Sequence, residues 1–469
     1  MAERMNFLCL LGHRLRILVR GNSGRPLFFP LFFPRAALGM RARRGIEGLP
    51  FSERPMKILF ASPFCLLDPS SGASITCRTI LEGLAARGHQ AHAVSACVFD
   101  RPQFATSEEF LGHIGARPLG NKTGPRSMFW QASRDGVGYV IAQSRAQLRS
   151  RVTCAEALAY QRLFVVAVRN QRPDAVLVYG GKPVDRDNYR WLHERGIPAV
   201  FYVANPNYWD RRTFRDIDLI LTDTEATAAL YKKRLGVVAN PIGKIVKPFP
   251  QGPDAPRDCV TLVNPAPEKG ASVFLGIVRE AARRGLDARF LVVESRRRLA
   301  ETANAIGIDA ASLTNIECVG LQEDMSNVWR RTKVLLHPSL WHESGSRLVV
   351  EACSAGVPVL ATSSGGIPET LGEAGFLFPV PPELSEKYAL PAAPETIATW
   401  TDTLEKLLRD ETFYASASER ALQHWKARAA HDPFVKIEAM LEKTVARKKE
   451  RVQRALAAAK AKRALAVEA

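Results

Sequence analysis

From residue 56 onward, short apolar runs alternate with stretches in which apolar residues recur every three to four positions. Residues 57–61 form a run of the first kind. Cys77, Ile80, Leu81 and Leu84 then follow at i, i+3, i+4 and i+7, the spacing of one helix face, and Gly88 closes the segment. Further strands are predicted over 175–179, 199–203 and 219–221, while residues 99–151 read as a polar, irregular insertion. Pro248, Pro250, Gly252, Pro253 and Pro256 crowd residues 244–258 and mark a boundary. Beyond it the alternation restarts, with strands predicted over 260–263, 288–293, 316–319, 334–336 and 357–361 and a helix over 271–284 before Gly285. Strand–helix alternation of this kind predicts an α/β fold of two Rossmann-like domains, over 56–247 and 258–432, facing each other across a cleft.

The two ends differ from this body. Residues 1–55 are rich in Arg, Pro and Phe without period, with ten Arg against three acidic residues. Met56 opens a typical first strand, so the upstream segment reads as an over-extended reading frame or an unstructured basic leader. After Pro433 an Ala/Lys/Arg-rich stretch predicts a helix over 441–465, polar on most faces, and residues 433–469 form a basic C-terminal segment. Of the net charge of +18, about +7 lies in residues 1–55 and +6 in residues 441–469. Such ends suit peripheral contact with an anionic membrane; the plainer alternative is a pair of solvated tails.

Composition narrows the class. An apolar share of 46% and a charged share of 24% are those of an ordinary globular protein. The eight cysteines are scattered, without C-x-x-C or metal-type spacing, and read as reduced thiols in a cytoplasmic protein. The histidines form no metal-binding motif, so no metal or other cofactor is expected. The apolar pieces at 7–11 and 27–33 are too short to span a bilayer. No nucleic-acid module accompanies the basic charge, so nucleic acid is not an expected partner.

Candidate chemistry concentrates in residues 336–378. A polar loop there carries Glu343, a short helix carries Glu351 and stops at Gly356, and a Gly365-Gly366 loop follows the next strand. Ser344 and Ser346 are N-cap candidates, so Glu343 falls just outside the helix beside its positive end, where it can face a ligand hydroxyl. Glu351 falls one to two turns in, where a carboxylate suits a diol such as a ribose. Taken alone, the pair is more plainly read as a solvated first-turn Glu and a surface Glu stabilising the helix dipole. Lys269, between a strand and a helix start, can neutralise a diphosphate, or can be a solvated turn residue.

The E-x7-E pair, the run Ala352, Gly356, Pro358, Val359 and the loop Gly365-Gly366-x-Pro368-Glu369 resemble the retaining GT-B glycosyltransferases of group 1, family 4. The resemblance implies a GT-B architecture. It also implies a retaining transfer from a nucleoside-diphosphate sugar to a sugar, lipid-linked or other acceptor, in glycan or glycolipid biosynthesis, without a metal. It gives Glu343 the donor sugar and the catalytic role, and Glu351 the nucleotide ribose. Gly345, Ser346 and Arg347 join the binding residues, and Gly72 becomes a loop residue close to the donor phosphates, with Asp68 an acceptor-side candidate. Three positions depart from the family pattern. Asn264 stands where an Arg commonly grips the diphosphate with Lys269, leaving that work to Lys269, backbone N–H groups or Arg347. Asn205 stands where a His often faces the donor sugar, and Ser346 replaces a Gly. These departures keep open an alternative, a non-catalytic GT-B relative that binds nucleotide sugars or a partner. A sugar-nucleotide epimerase would need acid/base groups that the sequence does not offer.

Overall fold

The computed structural model describes residues 19–20, 26–27, 54–119, 128–249, 257–309 and 313–468. Most of the expected leader (1–55), nearly all of its apolar pieces and part of the Pro-rich linker lie outside the described residues.

The first half is built on a nine-stranded sheet. Its order is Asn240–Pro241, Leu219–Thr222, Ala199–Val203, Ala175–Val178, Lys57–Ala61, Gln90–Ala96, Val137–Ala142, Phe129–Arg134 and Arg117–Pro118. All pairs are parallel except those made by Phe129–Arg134, which is antiparallel to both neighbours. Continuous burial of Ala199–Val203 and of Ala175–Val178 reflects helices on both faces, the reason such strands are apolar throughout. The second half carries a six-stranded parallel sheet in the order Ile316–Val319, Arg289–Val293, Cys259–Val263, Thr332–His337, Val359–Thr362 and Phe376–Phe378.

In each sheet the first strand of the parallel set has later strands on both sides, and these reversals of strand order place the site. In the second sheet the first strand, Cys259–Val263, lies between Arg289–Val293 and Thr332–His337. In the first sheet Lys57–Ala61 lies between Gln90–Ala96 and Ala175–Val178. A crevice opens at the carboxyl ends of strands at such a reversal. The loops from both crevices, after Ala61, Val178, Val263 and His337, meet in one cleft.

Two expectations fail. Residues 99–151 are not an irregular insertion: Phe129–Arg134 and Val137–Ala142 form a hairpin that extends the first sheet, and Val137–Ala142 is wholly buried. Asp135 and Gly136 turn it with φ of 50° and 77°, the left-handed pair that a tight two-residue hairpin turn requires. Nor is the C-terminal segment a solvated tail. A helix begins at Pro433 and runs to Glu468; Ile437, Leu441 and Val445 are buried in the core of the first half. Lys448 Nζ lies 2.8 Å from Asp218 Oδ1, almost fully buried. The last helix therefore returns to the domain built from the start of the fold. No described helix is long and apolar enough to cross a membrane. Of the cysteines, Cys65, Cys77, Cys97, Cys259 and Cys353 are buried thiols, whereas Cys154 and Cys318 are exposed.

Candidate functional site

The helix Arg347–Ser354 begins where its cap dictates. Ser346 Oγ accepts from the backbone N–H of Val349 and lies 3.0 Å from His337 Nε2. Glu343 sits in the loop three residues before that cap, and Lys269 ends a short turn, Pro267–Lys269, ahead of the helix Ala271–Arg283. The two loops are stitched together, since the N–H groups of Leu340 and Trp341 both donate to the Glu268 carbonyl at 3.0 Å. Their closeness explains two glycines. Gly270 has φ of 79° and faces the Pro338 carbonyl where a Cβ would stand, and at Gly365 a Cβ would strike the Glu343 backbone.

This stitching brings the Lys269 ammonium onto Glu343 Oε1, which also accepts from Ser339 Oγ at 2.8 Å. The Glu343 side chain is 16% exposed. Burial alone would raise its pKa, but the Lys269 charge, His337 and the Ser339 hydroxyl outweigh it and hold the carboxylate down at about 2. Burial pushes the neighbouring His337 imidazole down to about 4, leaving it neutral at pH 7. An ionised carboxylate and an ammonium thus share one buried corner at the positive ends of two helices.

The corner opens into a cleft of ≈ 840 Å³ between the two halves, within the range of small-molecule sites. Gly72, Asn205, Asn264, Lys269, Glu343, Gly345, Ser346 and Arg347 all line it. The side-chain oxygens Oδ1 of Asn205 and Asn264, from opposite halves, are buried there without a hydrogen-bond partner. Asn264 also holds φ of 63°, a left-handed conformation that Asn tolerates better than most residues. Gly72 opens the helix Gly72–Ala86, and a Cβ on it would meet no protein atom.

Two candidates stand elsewhere. Glu351 lies off the cleft wall, its carboxylate held by Arg347 at 2.6 Å and by Trp329 Nε1 at 3.3 Å. The same contact commits the Arg347 guanidinium, the suggested substitute for a phosphate-gripping Arg. Asp68 is buried and organises its own loop, accepting from Ser70 N and from Asp100 N at 2.8 and 2.7 Å. It does not reach the cleft, so the acceptor-side reading of Asp68 is corrected.

Several lining residues escaped sequence reasoning. Arg149, Lys182, Lys244 and Arg296 add cations, and Trp209 and Tyr388 add aromatic surface. No spacing joins them; the fold does. Lys244 is buried against Asp223, with Nζ 3.1 Å from Oδ2, and Asp223 in turn accepts from Ser344 Oγ at 3.0 Å. The loop that carries Glu343 is therefore docked on the first half. Glu369 strengthens that junction by accepting from Glu225 N and Ala226 N, the first N–H groups of the helix Glu225–Leu235.

Comparison with known proteins agrees with this geometry. Residues 259–390 match the family described as glycosyl transferases group 1. No curated protein matches the chain in sequence. Among solved structures, a glycosyltransferase from Rickettsia africae is similar at 15% identity and a TM-score of 0.56, covering 83% of this chain and 98% of its own. Sucrose-phosphate synthase from Thermosynechococcus elongatus is similar at 14% identity and a TM-score of 0.55, covering 86% of this chain and 100% of its own. HepE of Anabaena, solved in complex with UDP-glucose, gives 16% identity and a TM-score of 0.53, covering 83% of this chain and 99% of its own. The chain thus carries a GT-B fold over most of its length, and its second half, which holds Lys269 and Glu343, matches the glycosyl transferases group 1 family over residues 259–390.

Proposed function

We propose that this protein transfers a sugar, with retention at the anomeric carbon, from a nucleoside-diphosphate donor to a hydroxyl held by the first half of the chain. The bond from the anomeric carbon to the diphosphate breaks and a bond to the acceptor oxygen forms, releasing nucleoside diphosphate and one proton. The observation that carries the proposal is the Lys269–Glu343 corner at the strand-order reversal of the second sheet. Lys269 and the N–H groups at the start of the helix Ala271–Arg283 would take the departing diphosphate, whose charge grows in the transition state. Glu343, ionised across the neutral range, would orient the donor hydroxyls. On donor binding Lys269 is then shared between carboxylate and phosphate, and Glu351 takes a ribose by exchanging its contact with Arg347. The free Oδ1 atoms of Asn205 and Asn264 accept from donor hydroxyls on either side of the cleft. Retention rests on the family resemblance, and a cytoplasmic setting in glycan or glycolipid biosynthesis belongs to the same reading.

A thermal-shift screen against UDP, GDP, ADP and their common sugars tests it. Saturation at a hundred times Kd raises stability by about 2.7 kcal/mol. One base should give such a shift, Lys269→Ala should lose it, and Glu343→Ala should keep nucleotide binding while losing transfer. Turnover surviving unchanged in Glu343→Ala would remove the assigned role. A second reading, a binding protein without turnover, draws on Asn264 at the position of a phosphate-gripping Arg; it predicts nucleotide-sugar binding with no transfer to any acceptor.

A further inference from the structure

A second cavity, of ≈ 300 Å³, lies inside the first half. Most of its wall surface is apolar, with Ala96, Val98, Ala142, Val152, Ala159 and Tyr160 among the contributors, and polar side chains complete the lining. It belongs to no part of the donor corner, yet it borders the cleft, because Phe64, Arg149 and Lys182 line both spaces. The Arg149 guanidinium stands 4.4 Å above the Phe64 ring and 3.6 Å from Asp185, which places a cation on the shared wall. Asp185 is itself committed to the backbone N–H of Lys182 at 2.8 Å. The other acid on the wall, Glu156, is spent as well, accepting from Thr153 N, Arg145 N and Ala146 N at 2.9 to 3.0 Å.

An apolar chamber with two cations at its border to a transfer cleft fits one kind of occupant. We infer that the acceptor is an amphiphile whose apolar chain enters this chamber while its anionic head sits between Arg149 and Lys182, facing the cleft. The inference rests on the transferase reading and names the substrate class of its acceptor side. At about 30 Å³ for each water-sized group, the chamber holds about ten such groups, a short alkyl or isoprenoid segment. Its outer rim supports delivery from a lipid surface. Met128, which lines the chamber, is 49% exposed, and Leu158, on the helix Cys154–Gln171 that forms one wall, is 52% exposed. Arg145, on the adjoining loop, and Arg151, at the end of the short turn Arg149–Arg151, are exposed. Apolar tips among basic residues are the composition of a surface that meets anionic lipid.

Titration calorimetry of the full chain with monomeric decyl phosphate tests the inference, with decyl maltoside and inorganic phosphate as companion probes. Saturable binding of decyl phosphate is expected, with both companions roughly tenfold or more weaker, because each lacks either the head or the chain. Ala159→Trp, which fills the chamber, should weaken decyl phosphate by roughly tenfold or more while leaving nucleotide binding intact. Val152→Phe serves the same purpose from another wall if Ala159→Trp does not fold. Arg149→Glu should abolish the preference for decyl phosphate over decyl maltoside. Equal binding of inorganic phosphate, or no loss on filling the chamber, would overturn the inference. Nucleotide binding without decyl phosphate binding would leave the transferase reading standing and remove the amphiphile. Decyl phosphate binding without nucleotide binding would remove the transferase reading and, with it, the acceptor role inferred for the amphiphile.

Discussion

Replacing Glu343 by Gln isolates the charge at the centre of the site. Gln keeps the shape and mimics the protonated carboxyl, so the variant loses only what ionisation contributes. An ordinary Glu titrates near 4.5, whereas the Lys269 ammonium and the Ser339 hydroxyl, against the opposing effect of burial, hold Glu343 at about 2. At 1.36 kcal/mol per pKa unit this difference amounts to about 3 kcal/mol, and a side chain only 16% exposed loses little of that to solvent screening. The sign follows from linkage. A carboxyl whose folded pKa is depressed stabilises the fold above its unfolded pKa and stops doing so as pH falls through the folded one. Glu343→Gln should therefore cost about 3 kcal/mol above pH 5 and about half of that near pH 3. Urea unfolding at pH 7, 5 and 3 measures the cost, with amide exchange in Thr332–His337 as a local readout, since a two-domain chain need not unfold in one step. A penalty that is independent of pH, or smaller than about 1 kcal/mol at pH 7, would refute the ion-paired corner.

Three further outcomes are expected. The buried His337 titrates at about 4 when folded against 6.5 ordinarily, so stability should fall by about 3 kcal/mol as pH drops from 6.5 to 4, and His337→Gln should flatten that slope in a pH series of melts. Leu441→Ala, at a residue 4% exposed in the core of the first half, should cost about 2–5 kcal/mol in unfolding of that half while nucleotide binding by the second half persists. Asn264→Arg should tighten nucleoside-diphosphate binding several-fold by calorimetry, while costing about 1 kcal/mol of stability because Arg is less at ease at a φ of 63°.

Much of this architecture was legible in the residues, for a physical reason. Parallel strands covered on both faces must be apolar throughout, so 57–61, 175–178 and 199–203 announce themselves, and Ser346 announces a helix start by its capping chemistry. The hairpin was harder to read. Phe129–Arg134 is an outer strand with half-exposed residues that dilute the pattern, and the turn at Asp135-Gly136 carried the signal that its neighbours obscured. The last helix was misread because its buried stripe is narrow: Ile437, Leu441 and Val445 repeat every four residues among many charges. At the site, Lys269 and Glu343 were recognisable because each lies between a strand and a helix start within the motifs that carry the family resemblance. Arg149, Lys182 and Lys244 come from three different segments, and only the closed sheet brings them to one cleft.

The return of the final helix to the first half has a consequence for how the protein is made. Synthesis delivers residues 56–247 long before Ile437, Leu441 and Val445 leave the ribosome, so the first domain waits with an uncovered apolar strip until the whole second domain has been translated. Its core closes last although its strands come first. Nascent chains stalled before residue 433 should therefore depend on chaperones that shield this strip, and release of the completed helix becomes the step that commits the molecule to its native state.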